Sequence, residues 1–342
     1  MLVLIGHAGA LSGNNFPFHI GKIPLTFLAV YCFFILSGYL VTPGLINGRV
    51  RDYLIRRTIR IYPAYFGVLA FTGFGLSFLW QRFFHVKGFS VLDPIRYVVF
   101  NLLPPPGIFT QEYKNISFLS GLPVSKVDPG VPNGSLWSLT LESCLYIMIL
   151  FLVLVGRQCK ISFIKVIVFI VVSLMILSTA LSICIPTFNL SSPTIVEAVA
   201  LKWPYLLCFS LGSLLSYIPK DRLLGHSSSI LMALLFLLSS EKPLYFALFG
   251  AFFLSLSLIS IGESSLFARL PLSIDISYGV YLYHYPIEQT LAHFPHIRQN
   301  ISLFILITIL FTILMAFISA RFLEGPLQQK AKVWIREHKL IN

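Results

Sequence analysis

Ten apolar runs punctuate the chain, at residues 1–12, 24–46, 61–80, 135–155, 163–185, 203–218, 228–240, 243–261, 275–293 and 301–322. A membrane-crossing helix needs about 20 apolar residues at about 1.5 Å rise each. The pattern therefore predicts an all-α polytopic bundle of about ten transmembrane helices. Residues 228–240 are short for a span, and Glu241, Lys242 and Pro243 supply a tight turn, which predicts a two-helix hairpin over 228–261. The first run holds only about ten apolar residues, some 15 Å of helix against a hydrocarbon core of about 30 Å, so the first span is expected to be truncated at its start. Its opening, MLVLIGHAGA, has neither the basic n-region nor the cleavage site of a signal peptide.

Composition turns this pattern into a solvent assignment. Hydrophobic residues make up 56% and charged residues 11% of the chain, and the mean hydropathy is +0.84. That leaves too little polar surface to cover a water-soluble globule, so one membrane domain over 1–342 is expected. The formal net charge of +12 raises nucleic acid as a partner, but the Lys and Arg residues fall between apolar runs and form no contiguous basic face, which excludes it. With the N-terminus inside, 16 of the 25 Lys and Arg residues collect in cytoplasmic segments. Five of the others lie in the long 81–134 connection, where the positive-inside rule counts least. Both termini are thus expected in the cytoplasm. The 81–134 connection, with PPPG at 104–107 and several aromatic residues, is expected to be a structured external excursion that helps form an acceptor site. The five cysteines show no CxxC pair and no zinc spacing, so they read as buried small apolar residues and no metal site is expected.

Ionisable groups inside a span are costly and mark functional positions by default. His7, Glu142 and His284 are such groups. An imidazole exchanges protons near neutral pH, so a membrane-embedded histidine can take a hydroxyl proton while an acyl group arrives; the plainer reading is a histidine hydrogen-bonded to a backbone carbonyl. Glu142, in GSLWSLTLESCLYI, needs a partner, either an imidazole it orients or an arginine with which it packs helices together. In RVRDYLIRRTIRIYPAY at 49–65, Arg57 and Arg60 share a helix face, and guanidinium forks at that spacing suit phosphate or pyrophosphate, as in coenzyme A; the alternative is anchoring to anionic membrane lipids. SYGVYLYHYP at 277–286 sets Tyr278, Tyr281, Tyr283 and His284 near the start of the ninth run, as packing, as an interfacial belt or as the lining of a donor tunnel.

Taken together, these segments resemble the acyltransferase 3 family of membrane acyltransferases, over essentially the whole chain. GHAG with His7 looks like the family's first-span histidine, and CFFILSGYLVT at 32–42 like its second span, where Ser37 and Gly38 allow close packing or a bend. RRTIRIYPAY is similar to the RxxR element, matched by Arg57 and Arg60. SLWSLTLESCLY is similar to the tryptophan, serine and glutamate stretch, matched by Trp137, Ser138, Glu142 and Tyr146; SYGVYLYHYP resembles a further block, and ARFLEGPLQ the closing Glu-x-Pro pattern at Glu324 and Pro326. Members of the family usually carry an arginine about ten residues ahead of this histidine, and some relatives a hydrolase-like domain after the last span; with neither in the sequence read, acyl transfer is expected to be completed by the membrane unit or by a partner.

The resemblance implies an O-acetyltransferase of a bacterial inner membrane. Such an enzyme moves an acyl group, acetyl in most members, from cytoplasmic acyl-CoA to a hydroxyl of a cell-surface polysaccharide or lipid-linked sugar. It carries no permanently bound cofactor. On this reading Arg57 and Arg60 hold the CoA phosphates, and His7 is general base or acyl-accepting nucleophile. Glu142 fixes the imidazole's tautomer or stabilises the imidazolium, and Trp137, Ser138 or a tyrosine of the 278–283 run, Tyr281 among them, donates to the thioester oxyanion. His284 lines the donor tunnel. Two other readings stay open: a transporter of a sugar, lipid-linked intermediate or organic anion, and a non-catalytic or defective paralogue. The absence of an internal repeat weighs against the transporter.

Overall fold

A computed structural model describes residues 1–13, 18–84, 92–102, 132–187, 195–220, 225–241, 245–264 and 274–338. In chain order its helices are α1 (Leu2–Leu11), α2 (Leu25–Ile46), α3 (Val50–Ala70), α4 (Ser77–Phe84), α5 (Leu92–Leu102), α6 (Leu136–Gln158), α7 (Phe163–Thr187), α8 (Ile195–Leu215), α9 (His226–Ser239), α10 (Ala251–Gly262), α11 (Ser277–Leu291), α12 (Pro295–Gln299), α13 (Ile301–Ser319) and α14 (Gly325–Glu337). Wider π-helical turns at Phe71–Leu76 and Ala320–Glu324 join α3 to α4 and α13 to α14, and a third at Phe246–Gly250 leads into α10. One small departure from the all-α expectation is an antiparallel pair, His19–Ile20 against Ile23–Pro24, turned at Gly21 with φ 59°.

Each of the ten predicted ranges is occupied by helix. Among the described residues, four helices are long and apolar enough to cross a membrane: Leu25–Ile46, the continuous Val50–Phe83, Leu136–Gln158 and Ile301–Glu337. Large apolar side chains on their outward faces, such as Leu40, Ile147 and Phe322, are exposed, as a lipid-facing surface requires. Three boundaries differ from the hydropathy pattern by more than a few residues, one of them the start of α8 at Ile195 instead of 203. The third-run helix starts at Val50 instead of 61, because its charged leading segment is built of good helix formers with Asp52 in the first turn. The last helix runs beyond 322 to Glu337. Of the 81–134 connection, α5 and the end of α4 are described, whereas 85–91 and 103–131 lie outside the described residues, as does the turn at 242–244. Cys159 is exposed, contrary to the expectation that all the cysteines are buried, because it follows the end of α6.

The chain divides into two compact units. One comprises His19–Val50 and Leu145–Pro271. Here α2 packs along α8, which also contacts α7 and α10. Tyr31 stacks with Phe246 and tilts against Tyr205, each at 5.1 Å between ring centroids. The Arg157 guanidinium donates to the carbonyls of Leu45 and Ile46, satisfying the C-terminus of α2.

The other unit comprises Met1–Phe18, Arg51–Cys144 and Leu272–Asn342, and holds every candidate site residue. Its centre is α11, which packs on α13 and α1. Asn300 caps α13 by accepting from the Leu303 N–H at 3.1 Å. Pro286 lies inside α11 and has no N–H, so the carbonyl one turn earlier, on Leu282, loses its helical donor. Asn133 replaces it: its side-chain amide donates to the Leu282 oxygen at 3.0 Å, while its own carbonyl oxygen accepts from the Ser135 N–H at 3.0 Å. A single asparagine thereby ties the start of α6 to α11.

Candidate active site

His7 on α1 meets α11 through two rings. The His284 ring lies 5.6 Å away between centroids, tilted by 32°, and the Tyr285 ring stands edge-on at 5.2 Å. His7 is half-buried and His284 fully buried. The Nδ1 of His284 lies 2.7 Å from the Tyr281 carbonyl oxygen. A carbonyl only accepts, so Nδ1 carries the hydrogen and, in the neutral ring, Nε2 carries the lone pair. That Nε2 is buried and has no hydrogen-bond partner among the described residues.

Tyr285 is held by a glycine. A Cβ placed on Gly134 would come within 2.6 Å of the Tyr285 ring, so the ring reaches His7 only because residue 134 has no side chain. Gly134→Ala is expected to push Tyr285 off His7 and to lower turnover by about tenfold or more, since small misplacements of reacting groups cost that much. The check is transfer rate normalised to protein in the membrane; wild-type turnover in this variant would separate Tyr285 from the chemistry.

Behind the histidines lies a hydroxyl cluster. The Ser138 Oγ and Tyr281 Oη are 2.5 Å apart, and both donate to the Ser135 carbonyl, at 3.1 Å and 3.2 Å. Two hydrogens thus serve three contacts, so either hydroxyl can donate to a developing oxyanion only by releasing a present partner. Glu142, buried on α6, interacts electrostatically with the hydroxyls of Tyr281 and Tyr53, and Tyr53 with Arg57. Glu142 thus lies within electrostatic range of the Tyr281 hydroxyl. Trp137 stands on the exposed side of α6, 38% accessible, away from the buried cluster.

Arg57 and Arg60 share a face near the start of α3. The Arg60 guanidinium donates to Asp275 at 2.8 Å and lies over the Tyr278 ring at 5.6 Å. Tyr278 precedes His284 by six residues, about 9 Å along α11. A small, mostly apolar cavity of about 10 Å³, room for roughly one water, lies between α3 and α6, lined by Ile61, Tyr65, Leu136, Leu139, Thr140 and Ser143. No cluster of three or more His, Cys, Asp or Glu side chains suited to a metal occurs among the described residues.

This arrangement, a histidine pair in an apolar unit with an arginine face on a neighbouring helix, coincides with a match over nearly the full sequence. A family described as an acyltransferase domain matches residues 1–321. The chain belongs to the acyltransferase 3 family. It is therefore an acyltransferase, and its apolar helices make it a membrane-embedded one. Among curated proteins it is similar to an O-acetyl transferase of Shigella phage Sf6, with 27% identity over 91% of this chain and 88% of the relative. It is also similar to the O-acetyltransferase OatA of Staphylococcus aureus, with 28% identity over 89% of this chain. The alignment spans 53% of OatA, so the chain corresponds to about half of that relative's length. No solved structure matches.

Beyond the residues anticipated from the acyltransferase 3 motifs, Asn133, Gly134, Tyr285 and Asp275 also shape this region. Only Asn133 had a legible signal: an Asn-Gly pair just before a helix, opposite a helix-internal proline that must free a carbonyl.

Proposed function

We propose that the protein transfers an acetyl group from cytoplasmic acetyl-CoA to a hydroxyl of a cell-surface polysaccharide or lipid-linked sugar. On this reading the chain crosses a bacterial inner membrane about ten times, with both termini in the cytoplasm. The observation that carries the chemistry is the His7–His284 pair, in which the second imidazole's tautomer is fixed by a carbonyl.

His7 acts as the general base. It takes the acceptor hydroxyl proton as the oxygen attacks the thioester carbonyl; the C–S bond breaks, and the imidazolium returns the proton to the leaving thiolate, giving CoA thiol and the O-acetyl ester. The His284 Nε2 lone pair is the acceptor that an imidazolium N–H on His7 would find, which lowers the cost of charge in an apolar unit. Arg57 and Arg60 hold the CoA phosphates. Glu142 fixes the His7 tautomer or stabilises its imidazolium, and Ser138 or Tyr281 gives up its bond to Ser135 for the oxyanion.

The test is transfer of radiolabelled acetyl from acetyl-CoA into cell-envelope glycans, in membranes carrying the full chain. Label that requires the protein supports the reading. Absence of label, with substrate transport detected in the same membranes, would reverse it in favour of a transporter.

A further inference from the structure

Arg60 is already paired with an anion, and that anion belongs to the chain. One oxygen of Asp275, Oδ2, accepts from the Arg60 Nη2 at 2.8 Å. The other, Oδ1, accepts from the Ser277 N–H at 3.0 Å and its hydroxyl at 2.6 Å, which fixes the carboxylate at the N-terminus of α11. Tyr278, in the same first turn, lies beneath the guanidinium. The carboxylate is thus tethered independently of the arginine it pairs with. The ion pair is open to water, with side-chain accessibilities of 34% for Arg60 and 56% for Asp275, and exposed pairs of this kind add little stability. Asp275 precedes α11, outside the helix. Partial burial pushes its pKa up, but the Ser277 hydrogen bonds and the Arg60 charge outweigh it and hold the carboxyl below its ordinary value, so it is ionised at neutral pH. The other carboxylate that senses Arg60 is Glu324, which is buried and accepts from the Ser319 hydroxyl at 3.1 Å.

We propose that Asp275 is a specificity-determining residue: a built-in competitor that occupies Arg60 and yields to a polyphosphate ligand such as CoA but not to simple mono- or dianions. The inference rests on the reading of Arg57 and Arg60 as the CoA phosphate site. A single carboxylate engages Arg60 through one oxygen, whereas clustered phosphates present several oxygens to both guanidinium groups and displace it. An inorganic anion lacks that advantage and is held off by Asp275.

The test uses the full chain in nanodiscs and measures binding of CoA and competition by inorganic sulfate, for wild type, Arg60→Ala and Asp275→Asn. The asparagine amide oxygen can still accept from the Ser277 N–H and hydroxyl, so the substitution removes the charge while keeping the tether. Asp275→Ser serves the same purpose should the asparagine variant fold poorly. The expected result is about three- to tenfold tighter CoA binding in Asp275→Asn, with sulfate competing at about tenfold lower concentration than in wild type, and weaker CoA binding in Arg60→Ala. A purely structural Asp275 would not tighten binding. Unchanged or weaker CoA binding in Asp275→Asn, with Arg60→Ala still weakened, overturns the proposal and leaves the arginine site standing. CoA binding that ignores Arg60→Ala overturns the arginine site and the proposal with it.

Discussion

Replacing His7 with alanine is expected to lower acyl transfer by about 10²- to 10⁴-fold, the usual contribution of a positioned general base. The loss should lie in turnover, because His7 meets rings on α11 and not the arginine face on α3. Alanine favours helix, and the substitution removes the packing of one imidazole against His284 and Tyr285, so the variant should reach the membrane folded. Acetyl transfer normalised to membrane-inserted protein, with CoA affinity measured in parallel, separates the two effects. Wild-type transfer in His7→Ala would remove the histidine from the mechanism. The same residue bears on the order of events. If His7 carried the acetyl group itself, denaturing the wild-type protein during turnover would trap labelled chain; general-base catalysis leaves none.

What could be read in advance follows from which interactions are local. The ten apolar ranges were legible because span length and hydropathy are properties of contiguous residues. The hydropathy boundary at 61 missed the start of α3, because the segment from Arg51 to Arg60 is polar, although the helix face shared by Arg57 and Arg60 already implied helix there. At the site, the matched positions His7, Ser138, Glu142, Tyr281 and His284 were legible as costly or polar groups in apolar runs. Their pairing was not. His7 and His284 are nearly the full chain apart, and no periodicity relates α1 to α11. Trp137 and Ser138 are neighbours in one motif, but about 100° separates successive residues around a helix, so one is exposed and the other fully buried. Asp275 carried no signal of its own, since an isolated aspartate before a helix reads as an N-cap, and its second role depends on an arginine 215 residues away.

A stability effect of comparable weight is expected at a seam in the other unit. Ser37 and Gly38 on α2 allow the close packing anticipated for them: a Cβ on Gly38 would collide with the Phe209 carbonyl oxygen of α8, and a Cβ on Gly212 of α8 with the Ile35 carbonyl oxygen of α2. Both obstructions are backbone atoms, so no rotamer change relieves them, and the helices must separate. In a membrane such close approach matters more than side-chain hydrophobicity, because lipid tails solvate leucine as well as protein does. Gly38→Ala and Gly212→Ala are therefore each expected to destabilise the chain by about 2–4 kcal/mol. Gly44→Ala, on the same helix with nothing within 4 Å of its Cβ position, should be neutral or slightly stabilising. Because the two glycines guard one seam, the double variant should cost less than the sum of the singles: the first methyl already parts the helices. Thermal unfolding in detergent tests this by comparing wild type with the single and double variants, and additive losses, or a Gly38→Ala variant that melts with wild type, would show that the seam opens elsewhere.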